Sequence, residues 1–190
     1  CKPENALTGQ ISWFENTTSI LVPAAYKNYR FWRNTSVATL GAGQTATLPA
    51  GTLGYEWDWE QPAYAVNNPS GRFTLSSTTV TGKTHKLSLY RHSSGALVFG
   101  AGTVQWSWGL DGTHDRGAST PSVVMQQATV NLLADMGVQP ATLQAGLVAA
   151  TASTDLTPPA SVITFPANGA TLAPNVAVTI TGTASDANVV

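Results

Sequence analysis

The distribution of charge constrains this chain more than any other feature of its sequence. All nine Lys and Arg residues lie between Lys2 and Arg116, and after Gly137 the only charged residues are Asp155 and Asp186. Such a shift marks a change of module. The expected organisation is a first domain over 1–137, a linker over 138–157 and a second, incomplete domain over 158–190. Charged residues make up only 10% of the chain, against about 25% in ordinary globular proteins. The surface must therefore be built from Thr, Ser, Asn, Gln and Gly. That surface is common among exported bacterial proteins, so a secreted or cell-surface location is expected. A net charge of −1 leaves no electrostatic footprint for nucleic acid or an anionic membrane. No apolar run reaches the roughly 18 residues of a membrane span. The single cysteine, Cys1, rules out an internal disulfide and a cysteine-based zinc site. It is either a lipidated first residue or a cut end, and the cut end is favoured.

The first module reads as a series of short strands. Ile20–Val22, Tyr29–Arg33, Val37–Leu40, Thr45–Leu48 and Leu53–Asp58 come first, with Gly41-Ala42-Gly43 placing a hairpin between the third and fourth. Gln61 to Gly71 reads as a loop. Arg72–Val80, His85–Arg91 and Ala96–Phe99 follow, the last continuous and apolar as for a strand buried on both faces. A helix is expected over Pro121–Met136. Thr120 would cap it, Gly137 would stop it, and Val124, Met125, Ala128, Leu132 and Met136 would form its apolar face. After Thr157-Pro158-Pro159, the runs Ser161–Phe165 and Val176–Gly182 read as two strands of an immunoglobulin-like sandwich. Such a sandwich needs about seven strands.

Two stretches carry candidate chemistry. In Tyr55-Glu56-Trp57-Asp58-Trp59-Glu60 the acids alternate, so on a strand they share one face among aromatics. An apolar surround would raise a carboxyl pKa and suit it to acid or base work. The plain alternative, solvated acids beside core tryptophans, is favoured by the residues alone. The second stretch, Phe99 to Asp111, runs from a strand into a glycine-rich loop. It has neither a dinucleotide fingerprint nor a phosphate loop. Trp106 and Trp108 either line a pocket or simply pack. His85, His92 and His114 lack metal-ligand spacing, and each reads more readily as structural or solvated.

The strings Phe31-Trp-Arg-Asn-Thr35, Leu53-Gly-Tyr-Glu-Trp-Asp58, Ser94-Gly-Ala-Leu-Val-Phe-Gly-Ala-Gly-Thr-Val-Gln-Trp-Ser-Trp-Gly-Leu-Asp111 and Met125-Gln-Gln-Ala-Thr-Val-Asn-Leu132 go further. With Pro3–Gln10 and Leu75–Thr79, they resemble the C-terminal domain of the N,N-dimethylformamidase large (beta) subunit-like family, over about Pro3 to Ala152. The resemblance implies the β-rich C-terminal portion of an α/β, class I glutamine-amidotransferase-like layered fold, followed by a partial immunoglobulin-like β-sandwich segment. It implies hydrolysis of small amide C–N bonds by the full-length protein, with iron held by tyrosines and a carboxylate upstream. No metal ligand or cofactor is placed in this chain, which is expected to be inactive alone. Glu56 alone carries over, as a pocket carboxylate and catalytic residue; the residues themselves offer Tyr55, Asp58, Trp106, Trp108 and His114 as pocket candidates. The short span between Val80 and His85 departs from the family and would remove part of a pocket wall. The expected partner is the remainder of the same polypeptide. A homo-oligomer formed by β-strand addition is the companion of the alternative reading, a non-catalytic extracellular surface or assembly module.

Overall fold

The structure is a computed structural model that describes residues 2–14, 16–155, 157 and 159–186. The chain divides into two compact units, 1–152 and 153–190. In the first unit a short helix, α1 (Asn5–Thr8), precedes β1 (Ile11–Phe14), β2 (Leu21–Pro23), β3 (Thr45–Thr47), β4 (Glu56–Trp59), β5 (Phe73–Thr74) and β6 (Thr78–Val80). Then come β7 (Lys83–His85), β8 (Ser88–Arg91), β9 (Leu97–Gly100), β10 (Thr113–His114), β11 (Gly117–Ala118) and the helix α2 (Val123–Asp135). Every strand pairing among the described residues is antiparallel: β1 with β4, β2 with β3, β6 with β7, β10 with β11, and β8 between β5 and β9. The unit is strand-rich, with few helices and several small sheets.

Strands this short cannot hold themselves together. They share one core, in which Ile20, Val22, Phe31, Trp32, Leu53, Trp57, Leu75 and Leu87 meet Met125, Ala128 and Leu132 of α2. Each large apolar side chain fully buried there contributes about 1.5–3 kcal/mol.

Several expected strands take another form. Arg30–Trp32 is a 3-10 turn. An extended run would send Phe31 and Trp32 to opposite faces, whereas the turn buries both. Phe31 then stacks on Phe99 at 5.2 Å, and Trp32 Nε1 donates to the Leu75 carbonyl at 3.0 Å. Ser36–Thr39 is also a 3-10 turn, so the hairpin expected around Gly41–Gly43 does not form, and β3 pairs with β2 instead. Within 61–71, residues Pro62–Asn67 form a 3-10 helix. The single strand expected over Arg72–Val80 is two, β5 and β6, and His85–Arg91 is likewise divided between β7 and β8. At the second division the Gln10 side-chain amide pairs with the Lys86 backbone in place of a strand. Leu97–Phe99 is half-buried rather than buried on both faces, because β9 is the edge of its sheet.

The helix starts two residues later than the sequence implies. Ser122, not Thr120, is the cap: its Oγ accepts the Met125 N–H at 3.3 Å. Gly137 follows with φ +78°, the left-handed conformation of a helix stop. The apolar face expected to end in Met136 leaves that residue 39% exposed. On its other side α2 buries Val130 and Ala134 against Leu143, Leu147 and Ala150. Residues 138–152 of the expected linker therefore lie along the helix and belong to the first unit. Gln127 ties them down, donating to the Val148 carbonyl at 2.8 Å and accepting its N–H at 2.7 Å. Arg30 and Arg33 both bond the Thr151 carbonyl and the Asp135 carboxylate.

In the second unit, β12 (Ala160–Phe165) pairs antiparallel with β13 (Thr181–Ser185). The first strand includes the expected Ser161–Phe165. The second is displaced: residues 176–180 lie outside any strand, and of the expected Val176–Gly182 only Thr181 and Gly182 are paired. The paired stretch is the small-residue run Thr-Gly-Thr-Ala-Ser. A Cβ on Gly182 would come 2.6 Å from the Val162 carbonyl oxygen, so glycine permits this close approach. Two strands alone leave nothing to cover the face that Val176, Val178 and Ile180 would form.

Candidate functional site

The acidic stretch and the glycine-rich loop, far apart in sequence, are joined in the fold. Strand β4 pairs with β1 along one edge, and along the other it meets the segment just after β9. Asp58 N–H donates to the Gly102 carbonyl at 2.8 Å, and Val104 N–H to the Glu56 carbonyl at 3.2 Å. Thr103 fastens the loop. Its Oγ1 accepts the Gly54 N–H at 2.9 Å and donates to the Thr52 carbonyl at 3.1 Å. Gly102 has φ +58°, and a Cβ there would press on Gln10 and His85, which explains glycine at this point.

Glu56, Asp58, Gly102, Thr103 and Val104 line a pocket of about 270 Å³. The structure thus brings Glu56 and Asp58 together on one side of β4, as their spacing predicts, while Trp57 between them is buried in the core. The two acids differ in setting. Glu56 is exposed, whereas Asp58 is half-buried. Burial, then the nearby charges of Glu4 and Glu56, push the Asp58 carboxyl up to about 6. Glu60, the third alternating acid, is engaged elsewhere. Its carboxylate takes Arg72 at 2.8 Å and Lys86 at 2.5 Å.

Behind the pocket wall lies His85, fully buried. Its Nε2 donates to the Ala101 carbonyl at 2.9 Å, and its ring meets Trp57 edge-on at 6.2 Å. Its Nδ1 finds no hydrogen-bond partner among the described residues. Burial drives its pKa down to about 4 against the opposing pull of the Ala101 bond, so the ring is neutral near pH 7.

The remaining candidates go elsewhere. Trp106 packs on Phe31 and Phe99, as a core residue. Trp108 stacks flat on His114, with centroids 4.1 Å apart and planes 10° from parallel, and donates from Nε1 to Asp115 at 3.2 Å. The Arg116 guanidinium sits 3.8 Å above the Tyr55 ring. Tyr55, Trp108 and His114 therefore gather around the β10–β11 hairpin, and none of them lines the Glu56–Asp58 pocket. What the residue patterns missed is Gly102–Val104 as the pocket's second wall and Glu4 as a charge acting on Asp58. The signal for the wall was the Gly100-Ala101-Gly102 spacing, which marks close backbone approach.

Among the described residues no three His, Cys, Asp or Glu side chains gather in a way that would hold a metal. No helix among the described residues is long and apolar enough to cross a membrane. The family model for the N,N-dimethylformamidase beta subunit-like, C-terminal domain matches residues 1–120. No curated protein and no solved structure matches the chain.

Proposed function

This chain belongs to the N,N-dimethylformamidase beta subunit-like, C-terminal family, and on that premise we propose that it carries the C-terminal portion of the hydrolase domain of an exported bacterial protein that cleaves small amide C–N bonds. The observation that carries the reading is Asp58, pushed up to about 6 beside Glu56 in a defined pocket. Amide hydrolysis adds water to the carbonyl carbon and needs a proton for the departing amine nitrogen. A carboxyl with that pKa keeps its proton part of the time near neutrality and can hand it to the nitrogen as the C–N bond breaks. Glu56, more exposed, orients the attacking water or accepts its proton. On this reading the iron and the layered amidotransferase-like sheet belong to polypeptide outside these 190 residues, which is also the chain's principal partner. The 158–190 segment is then the start of an immunoglobulin-like repeat. The low charge content supports export.

The test uses the full-length protein. Glu56→Gln and Asp58→Asn should each lower kcat about a hundredfold with little change in KM. The limb of the kcat profile near pH 6 should vanish in Asp58→Asn. Wild-type turnover in both variants would end the reading.

A second reading, a non-catalytic extracellular assembly module, is supported by the β12–β13 hairpin. Val162 and Ile163 are 61% and 66% exposed there, and no Lys or Arg guards its edges. Removing residues 158–190 should then lower the oligomeric state; an unchanged state would dispose of it.

A further inference from the structure

A second cleft, of about 410 Å³, shares no lining residue with the Glu56–Asp58 pocket. It is bounded by Lys2, by the turn around Asn67, Asn68 and Ser70, and by Arg91 and His92 at the end of β8. Its chemistry is one-sided. Lys2 brings an ammonium with three donors and Arg91 a guanidinium with five, neither with an acceptor. Among the described residues no Asp or Glu lines the cleft. The whole chain has a net charge of −1, so this local positive excess departs from the surface average.

The polar walls are anchored in ways that leave donors over. Arg91 Nη1 donates to the Gly95 carbonyl at 2.7 Å, which uses one of its N–H groups. His92 Nδ1 is engaged by Ser94, 2.8 Å from its Oγ and 3.2 Å from its backbone nitrogen, which leaves Nε2 without a part in that turn. Asn68 Oδ1 accepts from the buried Asn5 Nδ2 at 2.6 Å, leaving the Asn68 amide NH2 as a donor. A donor-rich cleft with two positive charges and no carboxylate among its described lining residues is complementary to an oxyanion, and its volume lies within the range of small-molecule sites. We propose that this cleft binds a small polar ligand through a carboxylate or phosphate group held by Lys2 and Arg91.

The test is a two-dimensional NMR titration of the 190-residue chain at low ionic strength, since salt screens exposed contacts. Inorganic phosphate is one probe and glucuronate the other. Saturable shifts are expected at residues 66–70 and 90–93. The Kd should rise about tenfold in Lys2→Gln and about tenfold in Arg91→Gln, and stay unchanged in Arg116→Gln, which removes a positive charge outside the cleft lining. A response to phosphate alone identifies a phosphorylated ligand, to glucuronate alone a carboxylated one, and to both a site that recognises oxyanion charge. No saturation with either probe, or an unchanged Kd in both cleft variants, overturns the proposal.

Discussion

The side chain of Gln10 pairs with Lys86 as a neighbouring strand would: Nε2 donates to the Lys86 carbonyl at 2.5 Å, and Oε1 accepts the Lys86 N–H at 2.7 Å. Gln10 is fully buried. Replacing it with Leu leaves two backbone groups without partners, at a cost of about 1–3 kcal/mol each. Gln10→Leu should therefore lower unfolding free energy by about 2–4 kcal/mol in urea, whereas substitution of exposed Ser93→Ala should change little.

Asp58 should titrate with a midpoint near 6 in a side-chain carbonyl NMR experiment on the chain. Glu56→Gln removes one of the charges that raise it, so the midpoint should fall part of the way toward the ordinary 3.8. Because burial is the larger cause, a fall all the way to 3.8 would show that the pocket is wetter than its geometry implies.

His85 by itself should lower stability as pH falls from about 6.5 to about 4. Over that window the unfolded chain protonates His85 while the folded chain keeps it neutral. The full difference is about 3 kcal/mol. Asp58 acts in the opposite direction: its folded pKa is raised, so acidification through 6 favours the folded state. The two shifts are of similar size and largely offset each other, so Asp58→Asn should bring out a loss of stability in acid and His85→Phe a gain, both read from urea midpoints at stepped pH.

Two truncations separate a linker from an integral segment. Ending the chain after Ala152 should leave the first unit's melting temperature within a few degrees of its value in the whole chain. Ending it after Gly137 uncovers Val130 and Ala134 and removes the Val148 and Thr151 backbone partners of Gln127, Arg30 and Arg33. That loss should cost several kcal/mol, at about 1 kcal/mol per hydrogen bond plus the apolar area. Equal melting temperatures for the two truncations would show that residues 138–152 are dispensable.

The 190-residue chain by itself should neither hydrolyse small amides nor bind iron stoichiometrically. Elemental analysis after purification checks the second point, and one tightly held metal per chain would contradict it.

The site was partly legible in the sequence. Glu56 and Asp58 at i and i+2 announced a shared face, and the run from Phe99 announced a strand opening into a loop. That the loop lies against β4 was not legible, because pairing between distant segments leaves no local periodicity. The same limit explains the strand errors. Phe31 and Trp32 read as alternating, yet the core takes both, and only a tight turn allows it. On α2, Gln127 and Asn131 lie outside the apolar face expected from the sequence. They are buried because the backbone of Val148, Phe31 and Arg33 needs their amides. Binary patterning cannot tell a polar residue that faces water from one that replaces it.

Gly54 and Thr103, whose hydrogen bond helps join the two pocket walls, are 49 positions apart in the chain. Closing so long a loop is entropically costly and comes late in folding. A nascent or half-folded chain therefore has both sets of residues but no pocket.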